Sequence, residues 1–191
     1  MDITKLLSVF TDSNGIAALS QSNGAQPGQV SDLLTKAIPI LMKGMEQNAA
    51  TEEGAGSLAR ALDDHAGNDV SNIGSFLKNL DLSDGSKILG HILGSRSSEV
   101  QTGLAQKTGL SSSQVGNILA SVAPMLLSIL GGQKQSANVG NSGIGGMLSS
   151  LLGNGGGGMD DMISAALADK DGDGTPDILG QIGGLFGFGK K

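Results

Sequence analysis

Gln29-Val30-Ser31-Asp32-Leu33-Leu34-Thr35-Lys36-Ala37-Ile38-Pro39-Ile40-Leu41 is answered, 85 residues further along, by Gln114-Val115-Gly116-Asn117-Ile118-Leu119-Ala120-Ser121-Val122-Ala123-Pro124-Met125-Leu126. The Gln, the Val, the paired apolar residues (Leu33-Leu34 and Ile118-Leu119), the Pro and a following Leu all fall in register. Upstream, Leu19, Gln21 and Gly24 match Leu104, Gln106 and Gly109 at the same offset. Downstream, Ile88-Leu89-Gly90-His91-Ile92 is echoed by Ile178-Leu179-Gly180-Gln181-Ile182, with the offset drifted to 90. Two echoes in the same order predict a duplicated unit, with a few residues inserted between them.

Apolar residues in 30–45 and 115–130 recur at three- and four-residue spacing, which predicts amphipathic helices. Pro39 and Pro124 lie inside them, where each removes one backbone hydrogen bond. Thr51-Glu52-Glu53 and Ser111-Ser112-Ser113 read as helix N-caps, and Ser83-Asp84 as the cap of the helix carrying Ile88 and Leu89. The expected fold is all-α: two quasi-repeated helical units in a compact bundle. A first unit spans 1–95, and the core of a second spans 96–130. A Gly-rich linker follows over 131–158, with a short helix at Ile144–Leu152 that carries Met147, Leu148, Leu151 and Leu152 on one side. A calcium-loop segment and Gly-rich tail close the chain over 159–191.

Composition agrees with helices. The chain of 191 residues is 38% apolar, with four Phe, no Tyr and no Trp. A core of Leu, Ile, Val, Ala and Met suits packed helices better than sheets, which favour aromatic and β-branched residues. The seven Met read as core filler. Net charge is −6, a sign that repels nucleic acid and anionic membranes and favours cations. No cysteine is present, which removes disulfides, thiolate zinc sites and cysteine nucleophiles. The N-terminal residues do not read as a secretory signal, and no uncharged apolar stretch is read as reaching the ~20 residues of a membrane span. A cytoplasmic location is expected, with signal-less export open.

Residues 169–177 read Asp-Lys-Asp-Gly-Asp-Gly-Thr-Pro-Asp. Asp169, Asp171 and Asp173 occupy loop positions one, three and five, and Gly174 occupies six, where the chain turns tightly. Thr175 at seven offers its backbone carbonyl, and Asp177 at nine binds directly or through water. Alternate spacing lets carboxylates converge while the backbone wraps the ion, and calcium accepts six to eight such oxygens. Without a cation the four Asp repel one another. Magnesium fits less well, because it retains its waters. The segment resembles an EF-hand loop, and equally the short Asp-rich calcium repeats of dockerins and thrombospondin type-3 arrays. It departs from the EF-hand at position twelve, where Gly180 stands in place of a bidentate Glu. The expected affinity is therefore weak, ~10⁻⁴ to 10⁻³ M, unless Asp160 or Asp161 completes the shell.

Other motifs carry less. Leu104 to Leu119 has the cadence of a helix-turn-helix, but Lys107 is the only cation between Gln101 and Ser128. DNA binding needs basic residues against phosphates, so that reading is disfavoured. His65 beside Asp63, Asp64 and Asp69 reads as a partner for a helix C-terminus rather than a metal ligand, and His91 reads as part of packing. No nucleophile–base order stands out, and no phosphate-binding glycine motif is complete. An enzyme would need a polar pocket around His65 or His91 with two convergent carboxylates.

The repeated segment, together with Asp84-Gly85-Ser86-Lys87-Ile88-Leu89-Gly90-His91-Ile92-Leu93-Gly94, resembles a bacterial family, domain-of-unknown-function family nine-thirty-seven, over roughly residues 1–150. The resemblance implies a small helical bacterial protein, with no activity and no catalytic residues to transfer. The Asp-rich loop reads as an addition to that domain. The expected role is a non-enzymatic structural or protein-interaction protein holding Ca2+ as a structural ion. Its partner is a protein or a second copy, met through exposed Leu/Met surface or the Gly-rich tail, with no nucleic acid and no membrane. A calcium-responsive regulator is the alternative.

Overall fold

The computed structural model describes residues 3–70 and 73–153. The Asp-rich loop, Asp160, Asp161, the 178–182 echo and the Gly-rich tail lie outside the described residues. Among those described, the secondary structure is helical with no strand: α1 Ile3–Phe10, α2 Ser13–Asn23, α3 Pro27–Asn48, α4 Glu52–His65, α5 Ile73–Lys78, α6 Leu82–Leu93, α7 Ser97–Thr108, α8 Ser112–Ser136 and α9 Ile144–Leu152. The all-α expectation holds.

The two quoted segments form α3 and α8, the longest helices described. Both are more deeply buried than an amphipathic stripe requires. Lys36 to Met42 on α3 and Ile118 to Ser128 on α8 are buried without interruption. An apolar stripe faces one neighbour, whereas a helix buried all round lies at the centre of its fold. α4, α6 and α7 pack along α8, while α2, α7 and α9 pack along α3. One cluster of buried side chains runs from Ile3 to Leu152 and takes in both expected units, so they share a core.

The short helix before each long one ends on a left-handed glycine, Gly24 (φ 60°) before α3 and Gly109 (φ 68°) before α8. Gln29 and Gln114 then make the same contacts crosswise. Each accepts at Oε1 from the backbone N–H at the start of its own helix, Gln26 N at 3.2 Å and Ser111 N at 3.0 Å. The Gln29 Nε2 amide donates to the carbonyls of Thr108 (3.1 Å) and Gly109 (3.0 Å), at the end of α7. That of Gln114 donates to the carbonyls of Asn23 (3.0 Å) and Gly24 (3.2 Å), at the end of α2. Each glutamine thus closes its own helix N-terminus and the other hairpin's helix C-terminus, groups that otherwise lack partners. Replacing Gln114 by Ala should cost about 1–2 kcal/mol, from a lost cap and two unmet carbonyls. Chemical denaturation against the exposed Gln135→Ala control should register it.

Thr51 and Ser111 cap α4 and α8 as expected, accepting from Gly54 N (3.1 Å) and Gln114 N (3.2 Å). The cap of α6 is corrected. Asp81, not Ser83-Asp84, begins that helix and accepts from Ser83 N at 2.8 Å. Asp84 instead sits in the first turn, where a negative charge is favourable to the helix dipole.

Two glycines let helices approach backbone to backbone. A Cβ on Gly85 of α6 would lie 1.9 Å from the carbonyl oxygen of Ala120 on α8, and one on Gly131 of α8 would lie 2.2 Å from that of Leu62 on α4. Pro124 cannot donate to the Ala120 carbonyl four residues before it. The bare Cα of Gly85 is set against that same oxygen, where a weak C–H···O contact is available. Gly131 also accounts for a difference from the sequence reading: α8 runs on to Ser136, through residues whose composition resembles linker. α9 forms where the short helix was expected, with Ile144, Leu148, Leu151 and Leu152 buried and Met147 partly so.

The membrane-span expectation is also corrected. Among the described residues α8 is long and apolar enough to cross a membrane by length and composition, with a mean hydropathy of 1.7, but 78% of its apolar window is buried inside the protein.

Candidate functional site

The metal set read from sequence, Asp169, Asp171, Asp173, Thr175 and Asp177, lies outside the described residues. Among the described residues no three His, Cys, Asp or Glu side chains come together as a metal site. The histidines fall differently. His91 is exposed on α6, which corrects its reading as a packing residue. Ile92 and Leu93, next in the chain, take the buried face instead, and His91 contributes its backbone carbonyl, which accepts from Asn48 Nδ2 at 2.8 Å.

His65 is partly buried as the last residue of α4, and it lines a cleft in the described surface. This is a cleft of about 390 Å³, formed where α4, α5 and α6 meet over Pro124 of α8. Its walls carry Asn68 and Asp69 after α4, Phe76 on α5, Asn79 and Asp81 before α6, and Asp84 in the first turn of α6. His65 Nδ1 lies 3.0 Å from the carbonyl of Ala61. A carbonyl only accepts, so Nδ1 carries the proton, and in the neutral ring Nε2 presents a lone pair. This is the helix C-terminal role expected of His65. Nε2 stands 3.8 Å from Asp84 Oδ2, whose side chain is 53% exposed.

The hydrogen bonds around the cleft consume donors. Asn68 Nδ2 donates to Ser128 Oγ (3.4 Å), which itself donates to the carbonyl of Pro124 (2.8 Å). Asn79 Nδ2 donates to the carbonyl of Ser75 at 3.0 Å. Asp81 spends one oxygen on its helix cap. The cleft therefore has the polarity an enzyme would need around His65, but its carboxylates do not converge with the histidine into a three-ligand group. His65 and Asp69, four residues apart, were legible together in the sequence. The other lining residues come from α5, α6 and α8, which no local spacing connects to them.

The would-be helix-turn-helix is present as α7, the Gly109 turn and α8. Its second helix is a core helix, and Gln114 spends its amide on Asn23 and Gly24. Elsewhere, Glu46 ties α3 to α9. Burial pushes its carboxyl up, but hydrogen bonds from Lys43 and Ser149, with the Lys43 charge, outweigh that and hold it below its ordinary value. On α8, Lys134 Nζ donates to both oxygens of Asp63 on α4 at 2.7 Å.

Residues 5–135 match the model of a family described as bacterial protein of unknown function, DUF937. The chain belongs to this family. The match covers α3, α6 and α8, the elements that carry the resemblance noted from sequence. No curated protein and no solved structure matches the chain. In this DUF937 protein the matched span ends before α9 and the Asp-rich loop.

Proposed function

We propose that this DUF937 protein is a non-enzymatic structural or interaction protein that binds calcium at residues 169–177 as a structural ion. The observation that carries the reading is the alternation Asp169, Asp171, Asp173 followed by Gly174, with Thr175 and Asp177 beyond. The donor set is all hard oxygen, which suits calcium and offers nothing to softer metals. Gly180 at position twelve limits affinity. In this reading the ion holds the segments on either side of the loop together, and the protein works in the cytoplasm or after signal-less export. Its partner is another protein or a second copy. Leu82 is the one large apolar side chain well exposed among the described residues, so a broad Leu/Met docking face is not available there. The Gly-rich tail is left as the surface for a partner.

Calorimetric titration tests the ion. Wild type should bind calcium with a Kd of ~10⁻⁴ to 10⁻³ M, and the Asp171→Ala, Asp173→Ala double variant should not. Absence of heat at millimolar calcium, or equal binding by the variant, overturns the reading. A structural ion raises the melting temperature with little change in shape. Calcium-dependent binding of an apolar dye would favour the regulator instead.

A further inference from the structure

We propose that α9 is a releasable strap, a helix that opens from α3 as a unit while the rest of the core stays folded.

Little of α9 is held by its own sequence. The helix has nine residues, Ile144–Leu152. A helix becomes even marginally stable alone only at roughly 12–15 residues. Its N-cap, Gly143, offers no side-chain cap, and no acidic residue in its first turn or basic residue in its last complements the helix dipole. Thr51, Asp81 and Ser111 supply such caps to α4, α6 and α8. Gly145 and Gly146 weaken the helix further. Neither is needed for close packing. A Cβ at Gly146 would meet nothing within 4 Å, and one at Gly145 would meet Ala49 at an ordinary 3.8 Å.

α9 therefore depends on its tertiary contacts, and these are narrow. Ile144, Leu148, Leu151 and Leu152 are buried, and the helix packs mainly along α3, with a smaller contact on α4. Among the described residues one hydrogen bond crosses from α9 to the core, from Ser149 Oγ to Glu46, and it is exposed. Gly145 beside Ala49 and Ser149 beside Glu46 set α9 antiparallel to α3. Helical periodicity places Met42 and Met45, both fully buried, on the same α3 face as Glu46 and Ala49. Release of α9 bares that face, so the apolar surface that the closed protein lacks lies beneath the strap.

Hydrogen exchange of the unmodified full chain, followed by NMR with EDTA present, tests this. The amides of residues 148–152, which bond within α9, should exchange about a hundredfold faster than the slowest amides of α3 and α8, with little dependence on low urea. Equal rates in the three helices, or a urea dependence as steep as that of the core, mean that α9 opens only when the protein unfolds, and overturn the proposal. Val115→Ala separates the two kinds of opening. Val115 is buried at the start of α8, which is not one of the helices that α9 mainly packs on. The change should speed exchange of the slowest core amides about tenfold and leave residues 148–152 within about twofold. A parallel rise in α9 overturns the strap. Gly145→Ala combined with Gly146→Ala should slow exchange at 148–152 about threefold or more, and no slowing overturns it too. The chain has no cysteine, so Leu148→Cys places a single thiol under the strap. It should react with a thiol reagent about a hundredfold faster than the equally buried Leu126→Cys on α8, and equal rates count against release.

Discussion

Asp32→Asn should destabilise the fold by about 2–3 kcal/mol, and adding Lys36→Met should recover most of the loss. Lys36 is 5% exposed in the middle of α3, and its ammonium is held by the Asp32 carboxylate one turn earlier. A buried ion pair contributes little over an apolar pair of similar volume, but losing one partner strands a charge away from water. The full cost of such a break is about 3–5 kcal/mol. The Asp32 side chain is 31% exposed, so solvent already screens the pair and the smaller figure applies. Asparagine keeps the shape and the helical tendency of aspartate, which isolates the charge. In the double variant, methionine fills the space of the lysine stem without an ammonium to satisfy. The corresponding position on α8 is Ser121, whose hydroxyl donates to the Asn117 carbonyl at 2.9 Å, a neutral solution to the same buried polar site. Urea midpoints at unchanged slope measure both variants against the parent. A loss below about 0.5 kcal/mol in Asp32→Asn would mean that the ammonium reaches water along its flexible stem, and that the pair is not needed.

The helical class and the two long helices were legible because their signals are local. Val30, Leu33 and Leu34, like Val115, Ile118 and Leu119, are buried at the spacing the sequence displays. Thr51 and Ser111 announced helix starts through side chains that bond within three residues. What was not legible depends on partners distant in the chain. Nothing near Gln29 or Gln114 tells that each amide crosses to the other hairpin, 79 to 91 residues away. The cap of α6 was misplaced because Asp81 and Asp84 are both plausible caps, and one tight turn decides between them. Gly131 and Gly132 read as linker because a glycine needed for close packing has the same composition as one needed for freedom. Its role shows only once Leu62 is placed against it. The site divides the same way. Carboxylate spacing in 169–177 is a local pattern that sequence displays completely, whereas the His65 cleft is assembled by α4, α5 and α6 meeting over α8.

The second large effect follows from Gly85. Replacing it by Val should cost about 3 kcal/mol or more, at the upper end of overpacking. A Cβ there would stand 1.9 Å from the Ala120 oxygen and 2.8 Å from its carbonyl carbon, both backbone atoms of the most buried helix. Neither can turn aside as a side chain would, so α6 must lift from α8 as a body. Leu89, Ile92 and Leu93, all buried along α6, would lose packing with it. Even Gly85→Ala introduces the clash, although alanine is the better helix former by about 1 kcal/mol. Gly90, five residues on in the same helix, makes the comparison sharp. A Cβ at Gly90 meets nothing within 4 Å, so Gly90→Ala should stabilise by about 0.4–1 kcal/mol through a less flexible unfolded chain. Opposite signs for one substitution at two glycines of one helix cannot come from helix propensity. They would locate the cost at the carbonyl that Pro124 leaves without a helical donor. Thermal unfolding of Gly85→Ala, Gly85→Val and Gly90→Ala reads this directly, and a Gly85→Ala variant as stable as the parent would remove Gly85 as the contact that seats α6 on α8.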